Sequence, residues 1–554
     1  MVTTGALGAL ALADFRERRR RPAYLVVLLG TLALGLLAAP VGDSRWQVFQ
    51  VSDFHGRYTS GYVGTVTALG GAVWLSLAGF GITRGTIGRD ERSGVGQILA
   101  ATPLSRLAYL AGKFLSNLMV LGSMLLALAG TALAVQLIKG DSDRVDVVRL
   151  LLPYVLITLP LLAAVAACAV LFDTVPGLRD GFGALVWFVV WLVGVLGAQA
   201  GGGYDLLGMH RITASIREAI AAGGHPADTV EFGVGLTADN RVLGTFDWPG
   251  LGPGEAGGLA ADAGLLVAVA VALGLVGAMW FHRFDRAAAR AGGSLPASRL
   301  PWPFRPFRPF RPSDLSRPSR PSRPSRPGEP APDAGRRPSA DSPAFVLDPA
   351  RMTPARPGGT VLAALVGELR ILVQGKRLWW AGALTLALLA AAVPPDGPTH
   401  PVLPFAMLWP VLLWSRMGNR ADGGSIDDLL AACPSPARRL LAGLLAGVVL
   451  ALAVAAVPIT RLLAAGHTRA VAAALAGVLL VPALALLCGT VTRGPRLFQS
   501  LYPMLWYGMI NHLAGLDFLG VTPDHGPTPI AVATTAAALT LGALALDSIR
   551  EATR

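Results

Sequence analysis

Long apolar runs recur along the whole of this 554-residue chain and restrict the fold it can adopt. About 20 helical residues cross a hydrocarbon core of about 30 Å, and about twelve runs approach that length. A composition of 53% hydrophobic and 15% charged residues also favours a membrane protein over a soluble domain. We therefore expect an all-α polytopic membrane protein. The expected spans are residues 23–39, 62–82, 107–138, 150–172, 182–199, 263–281, 378–393, 401–415, 438–463, 470–491, 497–514 and 529–547.

The distribution of arginine predicts the orientation of these spans. Five arginines between Arg16 and Arg21 precede the first apolar run, whereas residues 200–262 carry more acids than bases. Because basic loops stay on the cytoplasmic side, we expect both termini in the cytoplasm of a bacterial cell and residues 200–262 outside the plasma membrane. The first run is long for a signal peptide, so we interpret it as an uncleaved span, with the preceding "GALGALALADF" as a short helix along the membrane surface.

A proline-arginine repeat divides the chain. Residues 283–360 include "PFRPFRPFRPSDLSRPSRPSRPSRPGEP", which has too few apolar residues to form a core and predicts a disordered cytoplasmic linker. This segment supplies most of the net charge of +13. Beside a membrane, its expected partner is the anionic lipid surface and not nucleic acid. The predicted domains are thus a first transmembrane half (1–282), the linker (283–360) and a shorter second transmembrane half (361–554).

The two halves resemble one another at one charged segment. "DERSGVGQILAATPLSRLAYLAG" in the first half aligns without a gap to "ADGGSIDDLLAACPSPARRLLAG" in the second, with a shared proline at Pro103 and Pro434. Both segments lie between the second and third apolar runs of their half. We therefore predict two six-helix repeats.

The first copy of this segment has the pattern of a short amphipathic helix. Val95, Ile98, Leu99 and Thr102 follow helical spacing and form one apolar stripe beside charged neighbours. Pro103 cannot continue that helix, and the serine two residues later is placed to cap the next one. The pattern predicts an interfacial helix that turns sharply into the third span, where it could pass a push from a cytoplasmic partner to the membrane helices.

In these residues the chain resembles the ABC-2 type permeases, the membrane subunits of a class of ATP-driven transporters. Their cytoplasmic segment between the second and third spans carries an acid, a Ser/Thr-Gly pair, an "LLATP"-like run, a basic residue and a downstream lysine. The corresponding residues here are Glu91, Ser93-Gly94, "ILAATP", Arg106 and Lys113. The predicted coupling segment comprises Arg89, Asp90, Glu91, Arg92, Ser93, Gly94, Pro103, Arg106 and Lys113.

The resemblance implies two membrane units of six spans each, working with two ATP-binding subunits, so that this chain would be a fused pseudodimer. The sequence contains no G-x-x-x-x-G-K-[ST] motif. We therefore expect ATP hydrolysis on separate P-loop subunits, and neither an enzymatic residue nor a cofactor or metal site in this chain. In the second half, Ala437 and Leu444 replace the basic residues. Its counterpart segment is represented by Asp422, Asp427, Asp428 and Pro434.

Two other functions are compatible with a polytopic chain. A secondary transporter would require charged groups at mid-membrane depth on interrupted helices, and the apolar runs contain almost none. A membrane scaffold or sensor could instead bind a ligand with residues 200–262. The residues of the coupling segment also have simpler interpretations, since the arginines could be positive-inside anchors and Lys113 could extend along its helix to the membrane surface.

Overall fold

The computed structural model shows an almost entirely helical protein. It describes residues 4–37, 47–51, 54–141, 144–179, 181–199, 205, 207–224, 232–237, 244–281, 361–374, 377–418, 436–511, 514–521 and 526–552. The predicted linker and the second-half residues Asp422, Asp427, Asp428 and Pro434 lie outside these residues, so the predictions made for them stay predictions.

Among its described residues, the first half contains eleven α-helices and four short strands. They are α1 (Thr4–Arg19), α2 (Pro22–Leu37), β1 (Gln47–Val51), β2 (Phe54–Gly56), α3 (Ser60–Thr83), α4 (Thr86–Arg92), α5 (Val95–Ala100), α6 (Arg106–Lys139), α7 (Val147–Pro153), α8 (Leu159–Thr174), α9 (Gly181–Gln199), α10 (Met209–Ala222), β3 (Phe232–Thr237), β4 (Gly244–Phe246) and α11 (Pro253–Trp280). A π-helical turn, Tyr154–Thr158, joins α7 to α8.

The second half contains eight further helices among its described residues. They are α12 (Val361–Val373), α13 (Arg377–Ala392), α14 (Leu403–Leu408), α15 (Val411–Trp414), α16 (Pro436–Ala464), α17 (Thr468–Thr492), α18 (Arg496–Ile510) and α19 (Pro529–Ala552). A 3₁₀ turn, Ala514–Leu516, follows α18.

Eight of the helical segments are long and apolar enough to cross a membrane, and a ninth results if α1 and α2 are taken as one span bent by 79°. The protein is therefore a multi-pass α-helical membrane protein by the length and composition of its helices. Helices also occupy the remaining predicted spans, but they are shorter, with 16 residues in α13 and 15 in α18. The predicted number of about 12 spans is not confirmed.

Within the described residues, the two halves pair their helices in the same order. In the first half α6 packs against α1, α2, α3 and α8, and α8 packs against α11. In the second half α16 packs against α12, α13, α14 and α17, and α17 packs against α19. The halves meet where α3 packs on α18 and α9 contacts α15.

A small folded cap lies at the end of α3 that is remote from α4 and α5. Strands β1 and β3 pair antiparallel, and β2 and β4 pair parallel. Part of the predicted exterior loop 200–262 is thus folded, since it supplies α10, β3, β4 and the first turns of α11. Helix α10 buries apolar side chains, among them Ile212, Ile216 and Ile220.

The charged segment after α3 forms two short helices where the apolar stripe predicted one. Gly94 separates α4 from α5, because its φ of +77° lies in the left-handed region that interrupts a helix. The predicted boundary at Pro103 is confirmed, since α5 ends at Ala100 and α6 begins at Arg106. The Oγ of Ser105 caps α6 by accepting a hydrogen bond from the Ala108 amide at 3.2 Å.

Candidate coupling site

A carboxylate from a distant helix holds the start of α4. Asp173, near the end of α8, accepts hydrogen bonds from the backbone amides of Gly85 at 2.7 Å and Thr86 at 2.8 Å. Two otherwise unpaired amides at the helix start are thereby satisfied, and the negative charge faces the positive end of the α4 dipole. The first turn of the coupling segment is consequently tied to the end of a membrane span.

A second buried cluster connects α4 to α1 and α6. Lys113 on α6 lies between two carboxylates, with its Nζ 2.8 Å from Asp90 Oδ2 and 3.3 Å from Asp14 Oδ1. The Asp14 carboxylate also pairs with Arg18 and with Arg89, whose Nη2 lies 2.6 Å from Asp14 Oδ1. We refer to this group as the Asp14 cluster. Its members are Asp14, Arg18, Arg89, Asp90, Lys113, Tyr109 and Ser116.

Hydroxyl groups also donate hydrogen bonds to both carboxylates. Tyr109 donates to Asp90 at 2.7 Å, and Ser116 donates to Asp14 at 2.8 Å. Burial by itself would raise the pKa of Asp14, but the positive charges of Arg18, Lys113 and Arg89 outweigh it and hold the pKa well below its usual range. Asp14 is therefore ionised at neutral pH, and three cations on three helices share its charge.

The far end of the segment has the opposite character. Val95 is 43% exposed and Ile98 is 70% exposed, so these two residues of the predicted stripe face away from the rest of the chain, whereas Leu99 packs on the buried cluster that contains Tyr109. Leu107, in the first turn of α6, is also exposed. We call Val95, Ile98 and Leu107 the apolar tip. Exposed apolar patches of this kind mark surfaces that contact another protein or lipid.

The structure brings some of the predicted site residues together and separates others. Arg89, Asp90 and Lys113 belong to the Asp14 cluster, whereas the side chain of Glu91 is 41% exposed and pairs with Arg179 at 3.1 Å. Lys113 does not extend to the membrane surface, since it is only 2% exposed and its ammonium is enclosed by carboxylates. The exposed members of the prediction are Arg92, Ser93, Pro103 and Arg106.

Sequence reasoning missed the two carboxylates that anchor the segment. Asp14 lies 75 residues before Arg89 and 99 residues before Lys113, and Asp173 lies 87 residues beyond Thr86. Such distances carry no local pattern. The only signal in the sequence was their occurrence as acids beside apolar runs, because a carboxylate in that place requires a partner.

The contact between the halves passes directly beside the coupling segment. A β-carbon on Gly81 would overlap Ser500 of α18, and one on Gly85 would overlap the guanidinium of Arg496. Gly85 also has a φ of +74°, so both its conformation and its surroundings require glycine. The root of α4 thus touches the first residue of α18 in the other half.

Further from α4, aromatic rings fill the contact between the halves. Trp191 on α9 meets Tyr507 on α18 with ring centroids 5.0 Å apart, and Phe188 meets Trp506 at 5.9 Å. The indole N–H of Trp191 donates to the Val73 carbonyl of α3 at 3.1 Å. In the second half, the N–H of Trp506 donates to the Pro404 carbonyl of α14 at 2.8 Å. Each half therefore satisfies its own indole and presents the ring to the other half.

Comparisons with protein families, with curated proteins and with solved structures gave no match to this chain.

Proposed function

We propose that this chain is the membrane-spanning permease subunit of an ATP-driven transporter of the ABC-2 type, with export as its direction. It would work in a bacterial plasma membrane with both termini in the cytoplasm. ATP would bind to separate P-loop subunits, two of which would serve the two halves. The proposal draws on the ABC-2-like residues from Glu91 to Lys113 and on the contacts that these residues make in the structure.

The observation that carries the proposal is the difference between the two ends of the coupling segment. Its apolar tip is exposed at Val95 and Ile98, while its root is fixed by buried ion pairs to α1 and α6 and by backbone hydrogen bonds to Asp173 of α8. A force applied at the tip would reach these helices through short, nearly solvent-free contacts. Packed and hydrogen-bonded elements of this kind transmit displacement because they cannot deform gradually.

The equal order of helix pairing supports a fused pseudodimer. The third span of each half packs on four helices that correspond in chain order, α6 in the first half and α16 in the second. In each half an indole N–H, from α9 or from α18, also donates to a backbone carbonyl of the second span of that half. A path for cargo would follow the contact between the halves, where α3 and α9 meet α15 and α18.

The position of charge argues against the secondary-transporter alternative. Among the described residues, the buried charged side chains lie within about two helical turns of a helix end or in a connection. They are Asp14, Arg18, Arg84, Asp90, Lys113, Asp173, Glu368, His400 and Asp517. Ion-coupled transport calls instead for charges near the membrane midplane.

The proposal is tested by purification of the tagged full chain from its native membranes in a mild detergent. We expect a P-loop ATPase to co-purify in a fixed ratio and to be lost from Ile98→Asp. The control Ile138→Asp, at the other end of α6, introduces the same charge at a position that is also exposed and should retain the ATPase. Co-purification that is equal for both variants, or that contains no P-loop protein, would refute the proposal.

A further inference from the structure

The mouth of the contact between the halves is rich in hydrogen-bond donors. Arg84 and Arg496 lie on either side of Gly85, and Arg84 donates to the Leu178 carbonyl. Gln499 lies one residue away from Ser500 on α18 and donates to Ser415 at 3.0 Å. The nearby carboxylate of Asp173 is already engaged by two amides and a hydroxyl of α4.

Among the charges that act on Arg496, one carboxylate, Asp173, faces the guanidinium groups of Arg84 and Arg92, so positive charge is in excess at this mouth. Burial and the positive charges of Arg84 and Arg92 lower the pKa of Arg496 to about 10, although Asp173 opposes the change, and the guanidinium stays charged at neutral pH. Two helices, α9 and α18, also begin here, with Gly181 placed so that its β-carbon would lie 3.4 Å from Gln499 Nε2. Their N-terminal amides add to the positive potential.

Among the described residues, aromatic rings and no charged side chains form the interior of the same contact. The rings of Phe188, Trp191, Trp506 and Tyr507 lie seven to eleven residues inside α9 and α18, about 10 to 15 Å from the mouth. Both indole N–H groups are already bonded to backbone carbonyls. The rings of Phe188, Trp191 and Trp506 can therefore offer only apolar contact to a molecule that separates the halves.

From this arrangement we infer that the cargo of the proposed transporter is an amphipathic anion, such as an alkyl phosphate or carboxylate. Its acidic head group would bind Arg496 and Arg84 at the mouth, and its apolar tail would enter between the aromatic rings. The inference rests on the proposed function in so far as the bound molecule is a transported cargo. The binding site itself requires only this chain.

Binding can be measured without any ATPase. The full chain in neutral detergent is titrated with 12-bromododecyl phosphate, whose bromine quenches tryptophan fluorescence when the tail reaches Trp191 or Trp506. We expect saturable quenching. The quaternary ammonium with the same brominated tail should give only the linear background of micelle partition. Saturation by both head groups at equal concentrations would overturn the assignment of an anion.

Variants locate the head group. Arg496→Gln should raise the half-saturating concentration about tenfold, because one charge-assisted hydrogen bond is lost. Arg496→Lys should keep most of the affinity by retaining the charge. Arg438→Gln, at an exposed arginine on α16, is the matched control and should bind as the wild type does. If Arg496→Gln and Arg496→Lys both bind as the wild type does, the site is elsewhere and the inference is wrong.

Two further arms locate the tail and the source of the anion. Trp506→Phe should reduce the maximum quenching without a large change in half-saturation. Inorganic phosphate at millimolar concentration should fail to displace the alkyl phosphate, whereas phosphatidylglycerol should compete for it. Displacement by inorganic phosphate alone would show a site for a free anion and would overturn the amphipathic assignment. Failure of these assays would leave the ATPase test unaffected, so the two proposals can fail separately.

Discussion

Lys113 offers the sharpest test of the buried charge network, because it is the one cation placed between Asp14 and Asp90. At an effective dielectric constant of about 20, its attractions at 2.8 and 3.3 Å are worth roughly 6 and 5 kcal/mol, from which the several kcal/mol needed to desolvate the ammonium must be subtracted. Removal of one partner of such a buried pair costs about 3 to 5 kcal/mol. We expect Lys113→Met to destabilise the chain by about that amount.

The assay is equilibrium unfolding of the purified full chain in mixed micelles. Arg106→Met is the matched control, since Arg106 is an exposed cation at the start of the same helix, and its loss should cost less than about 0.5 kcal/mol. The double variant Lys113→Met with Asp90→Asn should recover part of the stability, because no uncompensated charge remains at that end of the cluster. Equal stability of Lys113→Met and Arg106→Met would refute the reasoning.

Three other predictions follow from the same structure. Glu91→Ala should leave the amount of folded protein almost unchanged, because the ion pair of Glu91 is exposed. It should weaken co-purification with the ATPase more than Asp422→Ala does. A stronger effect of Asp422→Ala would contradict this prediction. Shortening the linker by about 20 residues within 300–340 should preserve membrane insertion and activity, and loss of stable protein would show a structural role. Burial lowers the pKa of His55 and His400, so below pH 6.5 the unfolded chain binds more protons than the folded chain does. The free energy of unfolding should therefore be constant above pH 6.5 and fall below it. Replacement of both histidines by glutamine should remove that fall when unfolding is measured against pH.

The sequence predicts the parts of this fold that depend on local pattern. Apolar run length identified where helices lie, and the break at Pro103 and the cap at Ser105 followed from the chemistry of proline and serine. A helix is also present where a short one was expected before the first span, since α1 precedes α2 and is bent 79° away from it. Each of these features requires information from fewer than about 20 residues.

The rest depends on groups that are distant in sequence. The sequence pattern predicted one helix carrying both the charged residues from Arg89 and the apolar stripe to Thr102, but Gly94 divides the segment into α4 and α5, and the distant Asp173 caps the start of α4. Tertiary contacts override local periodicity in such short segments. The pairing of β1 with β3 joins residues far apart along the chain, and the overlap of Gly85 with Arg496 joins the two halves.

The charges of several predicted site residues are directed differently from the expectation. Arg89, Asp90 and Lys113 were chosen as a charged surface for a partner, yet their charges are directed inward to the Asp14 cluster. The apolar part of the segment that remains exposed is the tip at Val95 and Ile98. This inversion arises because an interfacial segment must satisfy its charges within the protein before it can bind anything else.

The central claim is that the apolar tip contacts a P-loop ATPase, and site-specific photo-cross-linking measures that contact most directly. A photoreactive amino acid is placed at Ile98 in the full chain within native membranes, with Ile138 as the equally exposed control. The account predicts a cross-linked product from position 98 that contains a P-loop ATPase, and no such product from position 138. A product from position 98 that contains only lipid or a protein without a P-loop would contradict the account.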